Sequence, residues 1–91
     1  MSAIELAVEI AGWAGAGLIL LAYLLISTGK LTGQSPAYQW INLGGAAGFV
    51  VNSWWHGAIP SAALNVVWAA IAIFALSRLA RLRARAPATP E

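Results

Sequence analysis

The sequence predicts an all-α membrane protein with three transmembrane helices, and three observations support this fold class. Hydrophobic residues make up 60% of the 91-residue chain and charged residues only 9%, whereas soluble domains average about 25% charged residues. No charged residue occurs from Ile10 to Gly29 or from Leu31 to Ser77. As helices, the first run is long enough to cross a bilayer core of about 30 Å once, and the second twice if it is broken.

The first helix is expected at about residues 4–27. Its apolar run contains no proline, and Glu5 and Glu9 lie in its first turns, where the helix dipole favours negative charge. The segment STGKLTGQS follows and contains Lys30 as its only charge. Its glycines break helices, so we expect a short loop there.

The second helix is expected at about residues 36–55. Ser35 precedes Pro36 in the sequence, and serine is favoured at the N-cap just as proline is favoured at the first helical position. HGAI then forms a tight turn.

The third helix begins at Pro60, where proline interrupts the long apolar run, and continues to about residue 82. Residues 1–82 are therefore expected to form the transmembrane domain. Residues 83–91 are expected to form a basic, proline-containing tail, and the segment RLRARAPATPE that includes them is expected to start helical and to end disordered after Pro87 and Pro90.

Basic residues predict the orientation of the three spans, because cytoplasmic segments carry an excess of lysine and arginine. An odd number of spans places the first loop and the C terminus on the same side, so the two groups of basic residues agree. We expect a multi-pass protein of the bacterial inner membrane with a periplasmic N terminus and a cytoplasmic C terminus, in contact with lipid rather than nucleic acid. The topology residues are Lys30, Arg78, Arg81, Arg83 and Arg85.

The composition argues against an enzyme and against a metal or cofactor site. The chain contains no cysteine and one histidine, His56. No carboxylate pair beside a basic partner, HExxH motif or phosphate-binding glycine loop occurs. We therefore expect no catalytic residues, no metal and no cofactor. His56 is expected in the outer turn, either as a solvated residue or as a ligand or proton-coupling group.

Glycines and one proline are the candidates for packing and hinge positions. Small residues let helices approach closely in lipid, where the hydrophobic effect does not drive helices together. Gly12 lies in GWAGAG, and Gly44 and Gly48 form a GxxxG pattern. This pattern is compatible with packing inside one protomer and with a dimer seam. Pro60 is the hinge candidate.

Hydrogen-bonding side chains are unusually frequent in the uncharged segment from Ser35 to Asn65. An unpaired polar group is costly in lipid, so we expect these side chains to turn inward. Asn42, Gly45 and Phe49 share one side of the second helix. On the third helix a polar side carries Ser61, Asn65, Trp68 and Ala72. The asparagines serve either as interhelical links or as a binding site, with Asn52 and Asn65 as binding candidates.

Three strings carry a resemblance to known proteins: YLLISTGKL, YQWINLGG and HGAIPSAALNVVWAAIAIFAL. Over roughly residues 10–76 they resemble a family of small bacterial three-helix membrane proteins of unknown function. WWHG, followed by Pro60 and then Asn65, is also similar to the SemiSWEET sugar transporters of the PQ-loop group.

This second resemblance implies a three-helix unit that pairs around a sugar pocket. By resemblance Asn65 would be the pocket asparagine and Trp54 its aromatic partner, although Ser53 occupies the aligned position. The Pro-Gln pair of the group is replaced by Tyr23 and Leu24, and Tyr23 is a further candidate.

Two functions therefore remain open. In the first, two copies form a SemiSWEET-like carrier or binder of a small neutral solute, with Asn65 and Asn52 as hydrogen-bonding residues and Trp68 or Trp54 stacked on a ring. In the second, the chain is a non-catalytic accessory subunit of a larger membrane complex. The absence of an ionisable residue within the spans favours the accessory function, because ion-coupled transporters usually keep one.

Overall fold

Three α-helices joined by two short connections make up the described part of the chain. The computed structural model describes residues 1–85, and no strand occurs among them. The helices are α1 (Ala3–Ser27), α2 (Pro36–Trp55) and α3 (Ile59–Arg85). Their observed bounds match the expected ones to within one residue, except at the end of α3.

α3 continues through Arg85 instead of ending near residue 82. Leucine, alanine and arginine, which fill this segment, are good helix formers. The first residues of the expected tail are thus helical, and residues 86–91 lie outside the described part of the chain.

Local interactions define the helix ends. At the start of α1, the backbone N–H of Glu5 donates to Oγ of Ser2 at 3.1 Å, and the backbone N–H of Ser2 donates to Oε1 of Glu5 at 3.4 Å. This reciprocal pair is a capping box. After α1 and α2 the chain reverses at Gly29 and Gly57, whose φ angles of 76° and 71° favour glycine.

Ser35 occupies the N-cap position of α2 as expected, but its side chain does not cap the helix. Instead, its Oγ accepts a hydrogen bond from the backbone N–H of Thr32 at 3.0 Å. The hydroxyl therefore closes the loop that precedes α2.

α2 lies between the other two helices. It packs against α1 on one side and against α3 on another, whereas α1 and α3 make no contact with each other within residues 1–85. The chain therefore has two helix–helix contacts rather than one closed core. The buried residues are correspondingly small or polar for the most part, and they are Val8, Gly15, Ala22, Asn42, Gly45, Ala46, Ser53, Ala62 and Ala72.

Most large apolar side chains face outward. Within residues 1–85, twenty-two of them are exposed, including all five tryptophans. α1 and α3 are long and apolar enough to cross a membrane, and only 11% of the apolar window of each helix is buried within the chain. α2 does not meet the same criterion.

Candidate functional site

Glycines bring α1 and α2 together at their closest approach. A Cβ atom at Gly48 would lie 2.5 Å from the carbonyl oxygen of Ala11, and one at Gly15 would lie 2.8 Å from the carbonyl oxygen of Gly45. Both distances are too short for any side chain, and the neighbouring atoms belong to the backbone. The two helices therefore touch backbone to backbone.

The GxxxG pattern predicted from the sequence is divided in the structure. Gly48 faces α1, whereas Gly44 is exposed, and a Cβ atom there would meet only a side-chain methyl of Leu18 at 3.4 Å. Gly45 and Gly48 are the pair that packs on α1. For Gly48, of the two roles left open by the sequence, the structure supports packing inside one protomer.

Asn52 links α2 to α1 beside this contact. Its Nδ2 donates a hydrogen bond to the carbonyl oxygen of Val8 at 3.1 Å. A Cβ atom at Gly12 would lie 2.5 Å from the same Nδ2. Gly12 therefore provides the space that the amide of Asn52 occupies, and the carbonyl oxygen of that amide keeps its capacity to accept a hydrogen bond.

The Glu9 end of the molecule comprises the start of α1, the end of α2 and the turn that leads to α3. Nε2 of His56 lies 3.1 Å from Oε1 of Glu9. The two side chains are 52% and 37% exposed, respectively. Because both remain in contact with solvent, the pair is a partly screened link between α1 and α2.

A hollow of about 320 Å³ lies next to Asn52. We call it the Glu9 hollow. It combines oxygen acceptors with two aromatic rings, and a volume near the lower end of the ligand-pocket range suits a small molecule. The residues that line it are Glu9, Gly12, Trp13, Ala16, Phe49 and Asn52.

Hydroxyls and alanines make the contact between α2 and α3. Oγ of Ser53 and Oγ of Ser61 lie 3.0 Å apart, and Ser53 is buried. Ala62 and Ala72 of α3 are buried as well. Ser61 and Ala72, two of the four residues expected on the polar side of α3, therefore lie toward α2.

Asn65 lies on this polar side of α3 and is half-buried. Its Nδ2 donates to the carbonyl oxygen of Ser61, one turn earlier in the same helix, at 2.9 Å. Trp68, three residues further along, is 46% exposed. Asn65 and Trp68 thus lie on α3, which packs on α2 through serines. Asn52 lies at the other contact of α2, the one with α1.

The other sequence candidates point elsewhere. Trp54 is 70% exposed and Tyr23 is 65% exposed. Asn52 contacts Val8, and a helix rises about 1.5 Å per residue. Tyr23 therefore lies roughly 22 Å along α1 from that contact. Within one chain the Glu9 hollow includes Asn52 but none of Asn65, Trp54, Trp68 and Tyr23.

Pro60 is the second residue of α3 and lies directly after the turn at Gly57. The next residue, Ser61, makes the hydroxyl contact with Ser53. The role of Pro60 as a hinge stays a prediction.

A second depression lies at the opposite end of the molecule, between the start of α2 and the end of α3. We call it the arginine groove. Its volume is about 690 Å³. Its lining residues include Gln34, Trp40, Leu76, Leu79, Ala80 and Arg83.

Sequence reasoning did not assign Trp13, Phe49 and Glu9 to one site. Helical spacing placed Phe49 on the inner side of α2, but no pattern within α1 shows which of its faces borders α2. The missing signal was the contact between Gly12 and Asn52, which fixes the relative rotation of the two helices.

These features define a small all-helical protein with exposed apolar surfaces and a shallow, mainly apolar hollow beside a glycine-mediated helix contact. Within residues 1–85 no group of three or more His, Cys, Asp and Glu side chains could hold a metal ion. A family model matches residues 8–84. The chain belongs to this family, whose function is unknown.

No curated protein and no solved structure matches the chain. The resemblance to SemiSWEET transporters therefore rests on the residues of the sequence alone.

Proposed function

We propose that the protein is an integral membrane protein with three spans that pairs with a second copy and binds a small neutral solute, as a SemiSWEET-like carrier would. The observation that carries this proposal is the Glu9 hollow, in which oxygen acceptors and aromatic rings meet beside Asn52. Three arguments support it: the membrane location of the chain, the chemistry of the residues that line the hollow, and the way in which a second copy would close the hollow.

The exposed apolar surface supports a membrane location. The core helix of a soluble protein is mostly buried, but only 11% of the apolar windows of α1 and α3 is buried here. A helix of 20 residues such as α2 spans about 30 Å. Its buried Asn42 and Ser53 lower its mean hydropathy without facing lipid. The basic residues at the loop and the end of α3 favour a cytoplasmic C terminus.

The hollow suits a hydroxylated solute. The carboxylate of Glu9 and the amide oxygen of Asn52 both accept hydrogen bonds, which hydroxyl groups donate. Trp13 and Phe49 supply apolar ring faces on the same hollow. Acceptors beside aromatic rings are the groups that hold a neutral ring with several hydroxyls.

One chain leaves the hollow open, because its lining residues come from α1 and α2 alone and Trp13 among them is 76% exposed. A pathway through the membrane also needs more than three helices. A second copy would close the space, and its α3 would bring Asn65 and Trp68 to it. Alternating access would then be a rocking of the two protomers around a central site.

The test compares two exposed tryptophans. Trp13 lines the hollow, and Trp54 lies on another face with a similar exposure of 70% against 76%. We expect Trp13→Ala to weaken the binding of small neutral sugars at least tenfold and Trp54→Ala to leave it unchanged. Binding is measured by calorimetry with a panel of mono- and disaccharides, using the purified protein in nanodiscs.

If Trp54→Ala weakened sugar binding and Trp13→Ala did not, the binding site would lie at Trp54, the residue that the sequence resemblance indicates. No binding of any sugar, with both variants folded, would refute the proposal. Asn65→Ala is expected to abolish binding and to leave the dimer intact, as measured by the mass of the particle.

An exposed face of α2 favours a second candidate function, an accessory subunit of a larger complex. Trp40, Gly44, Ala47, Val51 and Trp54 recur at helical spacing and are all exposed. We call this set the free face of α2. Small residues at its centre would let another helix approach closely.

Gly44→Leu separates the two functions. It would block a helix at the free face but leaves the Glu9 hollow untouched. The accessory function predicts that the wild-type protein from native membranes migrates with a much larger assembly and that Gly44→Leu releases it. The solute-binding function predicts a particle of two copies and unchanged sugar binding in this variant.

A further inference from the structure

We propose that the arginine groove binds one anionic phospholipid, with the phosphate at Arg83 and an acyl chain along the apolar wall. This proposal rests on the membrane location given above but not on the dimer or the solute. It concerns a different end of the molecule from the Glu9 hollow.

The walls of the groove come from two helices and differ in chemistry. Leu76, Leu79 and Ala80 form an apolar surface on α3, and Trp40 faces them from α2. Arg83 and Gln34 add polar groups to the same depression. An apolar wall ending in a cation and an amide matches a molecule with a hydrocarbon chain and a phosphate.

Among residues 1–85, charge is segregated between the two ends of the molecule. The carboxylates of the described residues, Glu5 and Glu9, both lie in the first turns of α1. All five basic side chains lie in the α1–α2 loop or in the last turns of α3. No carboxylate of residues 1–85 therefore competes with a phosphate for Arg83. Arginine is well suited to that role because its planar guanidinium donates two parallel hydrogen bonds to phosphate oxygens.

Arg83 differs from the other arginines in its surroundings. Arg78, Arg81 and Arg85 line a separate depression whose walls all belong to α3. That surface has no second helix to hold an acyl chain. It is expected to attract an anionic membrane surface diffusely, with an interaction that salt screens. Arg81 is therefore the matched control for Arg83.

The experiment measures lipid binding to the full chain. Recovery of the protein in the membrane fraction is checked first, because recovery in the soluble fraction would refute the membrane location itself. The purified protein in a neutral detergent is then titrated with dioleoylphosphatidylglycerol at high salt, and binding is followed by native mass spectrometry. Dioleoylphosphatidylcholine and glycerol phosphate serve as the neutral lipid and the free headgroup.

We expect one phosphatidylglycerol to bind tightly and phosphatidylcholine and glycerol phosphate to bind at least tenfold more weakly. Arg83→Gln should weaken binding about tenfold, as the loss of a charge-assisted hydrogen bond does. Arg81→Gln should change it less than about threefold at high salt. Ala80→Phe, which fills the groove and keeps every charge, should also weaken it about tenfold.

Three results would overturn the proposal. Equal losses in Arg83→Gln and Arg81→Gln would indicate diffuse attraction. Equal affinity for glycerol phosphate would indicate a free phosphate ligand, and equal affinity for phosphatidylcholine would remove the role of charge. If Ala80→Phe does not fold, Leu79→Asn makes the wall polar and replaces it as the test of the groove.

Discussion

The contact between α1 and α2 and the contact between α2 and α3 are built from different residues. In the first, glycines bring backbone atoms together, so that a Cβ at Gly48 would lie 2.5 Å from a carbonyl oxygen. In the second, the serine hydroxyls of α2 and α3 meet at 3.0 Å among alanines. Both contacts use the same central helix.

This difference indicates which helix is held in one position. A backbone contact has no side chain that can change rotamer, so the spacing of α1 and α2 is fixed. A hydroxyl can exchange its partner for a carbonyl oxygen of its own helix. We therefore expect α1 and α2 to form the rigid unit and α3, which follows Gly57 and Pro60, to be the helix that moves.

The largest expected effect comes from adding one methyl group to the rigid contact. Gly48→Ala places a Cβ against the backbone of Ala11 and Gly15, which neither residue can avoid without separating the helices. Overpacking of this kind costs about 1–3 kcal/mol. We expect the free energy of unfolding to fall by that amount, as measured by reversible unfolding in detergent with circular dichroism.

Gly17→Ala is the matched control. No atom of another helix lies within 4 Å of the Cβ it would add, and alanine is favoured over glycine in a helix by up to about 1 kcal/mol. Unfolding free energy should therefore stay the same or rise. If both substitutions had the same effect, close packing of α1 on α2 would be wrong.

A second test divides the α1–α2 contact into its parts. Gly12→Ala forces the amide of Asn52 away from Val8, and Asn52→Ala removes the amide. Each change should lower the unfolding free energy by roughly 1 kcal/mol or less, since an interhelical hydrogen bond contributes about 0.6 kcal/mol on average. The double variant should be about as stable as Asn52→Ala alone, because the added methyl then occupies the vacated space.

A double-mutant cycle in the same unfolding assay measures this coupling. Strictly additive losses would mean that Gly12 and Asn52 act independently. In that case the amide would not depend on the glycine for its place beside the Glu9 hollow.

Sequence reasoning could predict the three helices because their signals are local. Pro36 and Gly29 mark helix ends through their own backbone preferences. The uncharged runs show the length of each span directly in the sequence. α3 continues about one turn beyond the expected residue 82, since a change from apolar to basic residues marks a membrane boundary rather than a helix end. Arginine and alanine continue a helix readily.

The site was less predictable because it depends on how the helices are rotated against each other. GxxxG spacing pairs Gly48 with Gly44, which is exposed. The pair that meets α1 is Gly45 and Gly48. Local spacing allows both choices, and only the partner helix decides between them. The same reason explains why Trp13 was not assigned to a site with Asn52.

The α2–α3 contact should respond more weakly to a comparable change. Ser53→Ala removes the hydroxyl that meets Ser61, but the hydroxyl of Ser61 can then bond to a carbonyl oxygen of its own helix. We expect the unfolding free energy to fall by about 0.6 kcal/mol. Ser53→Val also removes the hydroxyl but adds volume at this buried position. A larger loss of stability in Ser53→Val than in Ser53→Ala would therefore measure the effect of the added volume. A loss as large as that of Gly48→Ala in the alanine variant would contradict the view that α3 is loosely held.

The smallest expected effect on the unfolding free energy comes from the contact between Glu9 and His56. Glu9→Gln removes the charge that faces His56 at 3.1 Å, but both side chains are partly exposed and water screens them. Exposed pairs contribute about 0–1 kcal/mol and less in salt.

Glu5→Gln is the control, because it removes one charge from the same helix without a histidine partner and keeps a capping box. We expect the two variants to differ by less than about 0.5 kcal/mol in unfolding free energy at high salt. If Glu9→Gln nevertheless abolishes sugar binding while Glu5→Gln does not, the carboxylate serves the hollow rather than the fold. A stability loss matching that of Gly48→Ala would instead make this end, and not the glycines, the main link between α1 and α2.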